Sequence, residues 1–321
     1  MKDVNLYWPV YKNLEKELFE LTYSVYFDDF HFEYIKDDKG KYIKTPPYSL
    51  KIGDLLVRCC TEIEALIQKL TNGKDDEVKN TPSVDKSREI TIGCRLKYLH
   101  HTWNLDKKIV LVSCSNMFFQ NEDNKSFIPF GYSKDDENDY ISAYNALKHH
   151  RNTETIYKGN IRFLLRAMAA LYLLNIYYRD ETFELGKQNG VHKSFDSSLQ
   201  SELFSIKYEM LTHSNYKAEE MRTFVDATYV VIFTKSSYAK IQEEVLGMQG
   251  ELQKLLLKTI EERPEETLPK ITSGANALEV LQKLNVDIFD AVMPVGRALV
   301  DGNCEAILNK NQSLIDYAID N

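Results

Sequence analysis

Apolar side chains recur at helical spacing from the start of the chain. Tyr11, Leu14, Leu18, Leu21, Tyr23 and Val25 predict a helix over Tyr7 to Phe27, with Pro9 acceptable in its first turn. The period then changes. HFEYIKDDKGKYIKTPPYS alternates apolar and polar positions on either side of Asp-Lys-Gly-Lys, which reads as a small hairpin or extended loop. Ser49 is the candidate cap of a second helix over Leu50 to Leu70. On that helix Leu55, Cys59, Ile63, Leu66, Ile67 and Leu70 form one broad apolar arc, with Glu62 at its edge and Glu64 nearly opposite.

Breaker-rich NGKDDEVKNTPSVDKS reads as a surface loop, Glu89 to Trp103 as a helix, and Lys108 to Phe119 as a short strand. The acidic stretch NEDNKSFIPFGYSKDDENDY is a loop leading into a helix over Tyr140 to Arg151. Projected at helical spacing, Ile141, Ala143, Tyr144 and Leu147 share one side with Arg151, while Asn145, Lys148, His149 and Asn152 share the adjoining one. Asn160 to Tyr178 is apolar almost all round, as expected of a helix at the centre of a bundle.

Beyond Arg179, GKQNGVHKSFDSSLQ reads as a connection and places a boundary near residues 186 to 200. Ser201 to Thr234 is expected to give one or two more helices, with DATYVVIFTK open between helix and strand. Ile241, Val245, Met248, Leu252 and Leu255 form a short heptad seam that packs either on the bundle or on another copy of the chain. Pro264 and Pro269 end it. Ser273 is the expected cap of the last helices, Leu278 to Leu284, Ile288 to Val300 and Cys304 to Ile319. The expected fold is therefore mainly α: a helical bundle over residues 1–185 carrying a short hairpin or extended insertion, and a helical C-terminal region over residues 200–321.

Charge narrows the choice of partner. Asp and Glu total 48 against 40 Lys and Arg, a net charge of −8, so the chain has no global basic footprint for nucleic acid, though a local basic groove stays open. The 20 tyrosines are spread along the chain, which suits core and interface positions better than a base-stacking platform. The five cysteines form no C-x-x-C pair and have no histidines at zinc spacing, so they read as reduced thiols and no metal is expected. No nucleotide-loop, dinucleotide, nucleophile-elbow or zinc-protease string is present, so no cofactor is expected. Asp28/Asp29, Asp37/Asp38 and Asp135/Asp136 fall in loops and read as solvated charge. The amphipathic start lacks a signal-peptide core, and the longest uninterrupted apolar run, Ala167 to Leu174, is too short for a bilayer. A cytoplasmic protein with no membrane association is expected.

The first helix, the triplet Glu62-Ile63-Glu64, the pair Pro129-Phe130, the string YNALKHHR over 144–151 and the Ala/Leu helix after it together resemble the HEPN-like helical domains of bacterial proteins. The resemblance covers roughly residues 5–180. It implies a helical bundle, often a homodimer, acting in bacterial defence or toxin systems, and in many members a metal-independent ribonuclease. The family's usual mark is an arginine followed by four to six residues and a histidine. After Arg151 the next histidine is His192, whereas Arg95 and His100 do match that string.

Metal-independent RNA cleavage requires a base for the ribose 2′-hydroxyl, an acid for the leaving oxygen and cations for the developing charge. His149, Lys148 and Arg151 are the candidate catalytic set, with Tyr144, Asn145 and Glu62 beside it, and Arg95 with His100 is the alternative. A packing role competes. Arg151 or Lys148 paired to Glu62 would fix helix register, with Tyr144 and Asn145 in the same network, and Arg95, His100 and His101 would serve as cations at a helix end. Arg162 and Arg166, one turn apart, read as members of a buried ion pair or as facing a phosphate. Two functions follow as expectations: an interaction or assembly protein, partnered by RNA, by a protein or by its own copy through Ile241 to Leu255; or an endoribonuclease.

Overall fold

In chain order, α1 (Tyr7–Leu21) leads to strands β1 (Glu33–Lys36) and β2 (Tyr42–Thr45), then α2 (Leu50–Leu70), the short α3 (Asp75–Asn80), α4 (Ile92–Trp103) and β3 (Val110–Val112). A single turn α5 (Glu122–Lys125), β4 (Ser126–Phe127), α6 (Tyr140–His149) and α7 (Ile161–Arg179) follow. Strands β5 (Phe183–Gln188), β6 (Val191–Lys193), β7 (Phe204–Ile206), β8 (Tyr208–Met210) and β9 (Tyr229–Phe233) come next. The chain continues through α8 (Lys235–Glu262), α9 (Pro264–Thr272), α10 (Ala277–Lys283), α11 (Phe289–Asp301) and β10 (Cys304–Leu308). This computed structural model describes residues 6–36, 40–131, 140–149, 155–188, 191–210, 224–272 and 276–312. The fold is mainly α with small sheets. It divides into two units: Met1–Thr182 with Asp196–Val230 and Ile307–Gln312, and Phe183–Phe195 with Val231–Ala306 and Ser313–Asn321.

The first unit is built on α7, which packs against α1, α2 and α6. Its start is set by Asn160, whose side-chain oxygen accepts the Phe163 N–H at 3.1 Å, as Ser49 accepts that of Ile52 at 3.1 Å for α2. Leu164, Leu173 and Leu174 are fully buried, each contributing roughly 1.5–3 kcal/mol by removal from water. By length and composition α7 would cross a bilayer, although its apolar run is interrupted by Arg162 and Arg166; 78% of its most apolar window is buried inside the protein, which accounts for its character as a core helix. Close approach fixes how α2 meets the turn before α7. A Cβ on Gly159 would stand 2.7 Å from the Gly53 Cα, so only glycine fits.

The predicted hairpin is present, with Tyr34 opposite Lys44 and Lys36 opposite Tyr42. The expected strand after Lys108 is also present: β3 pairs antiparallel with β4 and with β7, Val110 lying opposite both Phe127 and Ile206. Several expectations are corrected. Residues 75–80 form a short helix inside the predicted loop, and Phe183–Gln188 and Val191–Lys193 form paired strands that run into the stretch expected as a connection. Among the described residues of 201–233 the regular elements are strands, because Phe204 and Ile206 alternate with polar neighbours and Tyr229–Phe233 is a continuous apolar, β-branched run. Residues 304–308 are a strand and not a helix, since Gly302 ends α11 and Cys304 to Ala306 pair with β5. Residues 196–230 and 307–312 belong with the N-terminal body, so the chain does not divide once near 185. Ser273 lies outside the described residues, and the cap of α10 is Asn276, whose side chain accepts the Glu279 N–H.

In the second unit the heptad seam of α8 is used within the chain. Ile241 is buried with Phe233 and Ala298, and Val245 packs beside them; Leu252 is buried with Leu281 and Ala291, joined by Met248 and Leu255. The expectation that the seam packs on the bundle is corrected: it packs within its own unit, on Phe233, Leu281, Ala291 and Ala298.

Candidate functional site

On α6, Tyr144 is buried and its hydroxyl donates to Glu64 Oε2 at 3.2 Å, while Lys148 Nζ donates to that hydroxyl at 2.9 Å. The lysine also sits 5.0 Å from the ring centroid of Tyr144. The hydroxyl, and beyond it Glu64, hold the exposed Lys148 above the usual lysine range and therefore cationic. Asn145 and His149 are exposed on the same helix. Arg151 lies outside the described residues.

The carboxylate that Tyr144, and through it Lys148, meets is Glu64 and not the expected Glu62, while the expected Glu62–Arg151 pair lies outside the described residues. Helix geometry gives the reason. The buried arc of α2 is wider than the strongly apolar positions suggest, because Gly53 and Cys60 belong to it. Gly53 faces Leu147 of α6, and Glu64, eleven positions on, projects about 20° from Gly53, whereas Glu62 projects about 180° away. Glu62 instead sits near Arg58, itself paired to Glu17 at 2.8 Å. Each glutamate thus borders a different edge of the arc, and the one facing α6 meets the Tyr144 hydroxyl.

The alternative pair is not assembled into one site. Arg95 donates to the Thr71 carbonyl and hydroxyl at 3.1 Å each and pairs with Asp75 at 2.8 Å, tying α4 to the end of α2 and to α3. His100, five positions on and about 140° round the helix, lies with its ring centroid 6.1 Å from that of Phe130. Its Nε2 is buried with no hydrogen-bond partner among the described residues. Burial pushes the imidazole below the usual histidine range against the pull of Asp106, so the ring is neutral at pH 7.

Three features escaped the sequence patterns. Glu15 is buried on α1, where four donors converge on one of its oxygens. Lys108 is fully buried, donates to the Ala227 carbonyl at 2.9 Å, and is pushed down to about 7 by burial, with Asp226 and Asp106 opposing. No periodicity marks it, because a lysine just ahead of a strand reads as solvated. A cavity beside the N-terminus of α7 is the third, and Arg162 lines it without the expected ion pair among the described residues. Signals for the first and third did exist: Glu15 borders the Tyr11–Leu18 arc, and Arg162 interrupts an otherwise apolar helix.

Among the described residues no group of His, Cys, Asp or Glu is arranged to hold a metal ion, and all five cysteines are free thiols. No protein-family model matches the chain, and neither a curated protein nor a solved structure matches it.

Proposed function

We propose that this protein is an interaction or assembly component of a bacterial defence or regulatory system, a HEPN-like body whose polar clusters hold helices together. One observation carries the reading: the residues that match the nuclease string are occupied with packing. Arg95 is engaged by Thr71 and Asp75, and His100 is desolvated against Phe130, whereas a general base must come within hydrogen-bond reach of the proton it removes. Lys148 likewise takes its place in the Tyr144–Glu64 chain.

Helix α8 supports an interaction role through a face other than the seam. Leu246 and Leu257, eleven positions and so about 20° apart, are 67% and 62% exposed on the side away from Ile241 and Leu252. A second reading, an endoribonuclease using His149, Lys148 and Arg151, draws on the exposure of Lys148 and His149 side by side at the end of α6. Incubation of purified protein with structured RNA separates the two. Intact RNA with wild type, His149→Ala and His100→Ala alike is expected; cleavage that either substitution abolishes overturns the proposal.

A further inference from the structure

The cavity beside α7 carries charge of both signs, and among the described residues the two signs do not pair with each other. It measures about 190 Å³ and is walled by the rings of Phe32, Phe119 and Phe127. A single water needs roughly 10–15 Å³ of such space, so the cavity has room for a one-ring molecule. Its charged lining consists of Arg162, Asp28 and Asp29, with Asn121 and Asn124 beside them. The Nε of Arg162 is buried and has no acceptor among the described residues. A guanidinium N–H is an obligatory donor, and burying one without an acceptor is costly.

The aspartates are held in place without using all their capacity. Asp28 accepts the backbone N–H groups of Phe30 and His31 and the His31 ring nitrogen. Asp29 accepts the N–H groups of Gln120 and Asn121 and the side-chain amide of Asn124. A carboxylate has about four acceptor positions, so each retains roughly one. No ion pair joins either of them to Arg162 among the described residues. Opposite charges on one aromatic-walled cavity, kept apart, complement a molecule that itself carries opposite charges joined to a ring.

We infer that this cavity binds a free α-amino acid with an aromatic side chain, its carboxylate on Arg162, its ammonium on Asp28 and Asp29, and its ring among the three phenylalanines. An inorganic phosphate matches poorly, because it would set a second negative centre against two carboxylates. Nor does a simple aromatic amine, which leaves Arg162 unanswered. The site is independent of whether the α6 cluster cuts RNA.

Calorimetric titration of the full chain with phenylalanine, 3-phenylpropionate, phenethylamine and inorganic phosphate tests the inference. Phenylalanine should bind with a dissociation constant of about 1 mM or tighter. Each analogue lacking one charged group should bind at least about tenfold more weakly, which is the loss of one charge-assisted contact. Arg162→Gln should weaken phenylalanine by a similar factor. That substitution breaks no bond seen here, and the ligand series on the wild-type chain does not depend on any variant folding. Absence of phenylalanine binding up to about 10 mM, equal binding of 3-phenylpropionate, unchanged affinity in the variant, or displacement of phenylalanine by phosphate overturns the assignment.

Discussion

Glu15 and Ser201 stand 186 positions apart in the chain and meet side chain to side chain, the serine hydroxyl donating to Oε1 of the carboxylate at 2.5 Å. The same oxygen accepts Tyr11 at 3.0 Å and the backbone N–H groups of Glu202 and Leu203 at 2.9 and 3.2 Å. Lys12 pairs with the other oxygen. One buried carboxylate thereby fastens the 201–204 segment to the first helix. Glu15→Ala leaves four donors without their acceptor and is expected to destabilise by roughly 3–5 kcal/mol in urea unfolding, Glu15→Gln by less. A loss near zero would mean that another contact holds this segment.

Lys108 makes stability depend on pH in a direction unusual for a lysine. Its folded value is about 7, while the unfolded side chain titrates near 10.4. Between those values the unfolded chain binds more protons, so stability rises with pH; below pH 7 both states are protonated and this group adds no slope. Lys108→Met removes the slope and leaves the Ala227 carbonyl a donor in Asn309, 3.0 Å away. The variant should exceed wild type in stability at pH 7, and the gap should narrow by roughly 2–3 kcal/mol by pH 9. Cysteines Cys59, Cys114 and Cys304, raised by burial, oppose the trend above pH 9 but do so in both proteins.

The two glycines that face each other are not equivalent. An alanine at 159 would put its Cβ 2.7 Å from backbone at Gly53, whereas one at 53 would find its nearest neighbour at 3.5 Å, an ordinary contact. Gly159→Ala should cost roughly 1–3 kcal/mol or more and Gly53→Ala well under that, read from thermal midpoints side by side. Equal midpoints would place the close approach elsewhere.

Within the second unit, Leu252→Ala should destabilise by roughly 2–5 kcal/mol because it empties a packed position, and Leu246→Ala should stay within about 0.5 kcal/mol. Chemical denaturation of the two variants checks this. Similar losses would mean that the exposed stripe is covered.

Helices long enough to show their period were readable from sequence: α2, α7 and α8 lie where spacing places them, and Ser49 and Asn160 begin α2 and α7. Short strands were read unevenly: the β1–β2 hairpin and β3 were expected, and the later ones were not. Phe204–Ile206 and Cys304–Leu308 carry too few residues for periodicity to register, and what decides them is pairing with a distant partner. Within the α6 cluster, Tyr144 and Lys148 were found together as expected. Glu62 was expected beside Lys148 because Gly53 and Cys60 were left out of the arc, which hid the edge on which Glu64 lies. Buried Lys108 carries no sequence signal, since only tertiary burial sets it apart.

Residues 307–312 belong to the unit begun by α1, and there Asn309 donates its N–H to Thr228 and accepts the Tyr177 hydroxyl. On a ribosome, chain emerges from the N-terminal end at about 5–20 residues per second. The first unit therefore lacks residues 307–312 until all the material of 231–306 has emerged. The unit whose sequence starts first is the one that must wait, its half-built body exposed to chaperones and proteases during synthesis, and an early stop before residue 304 would remove β10 altogether.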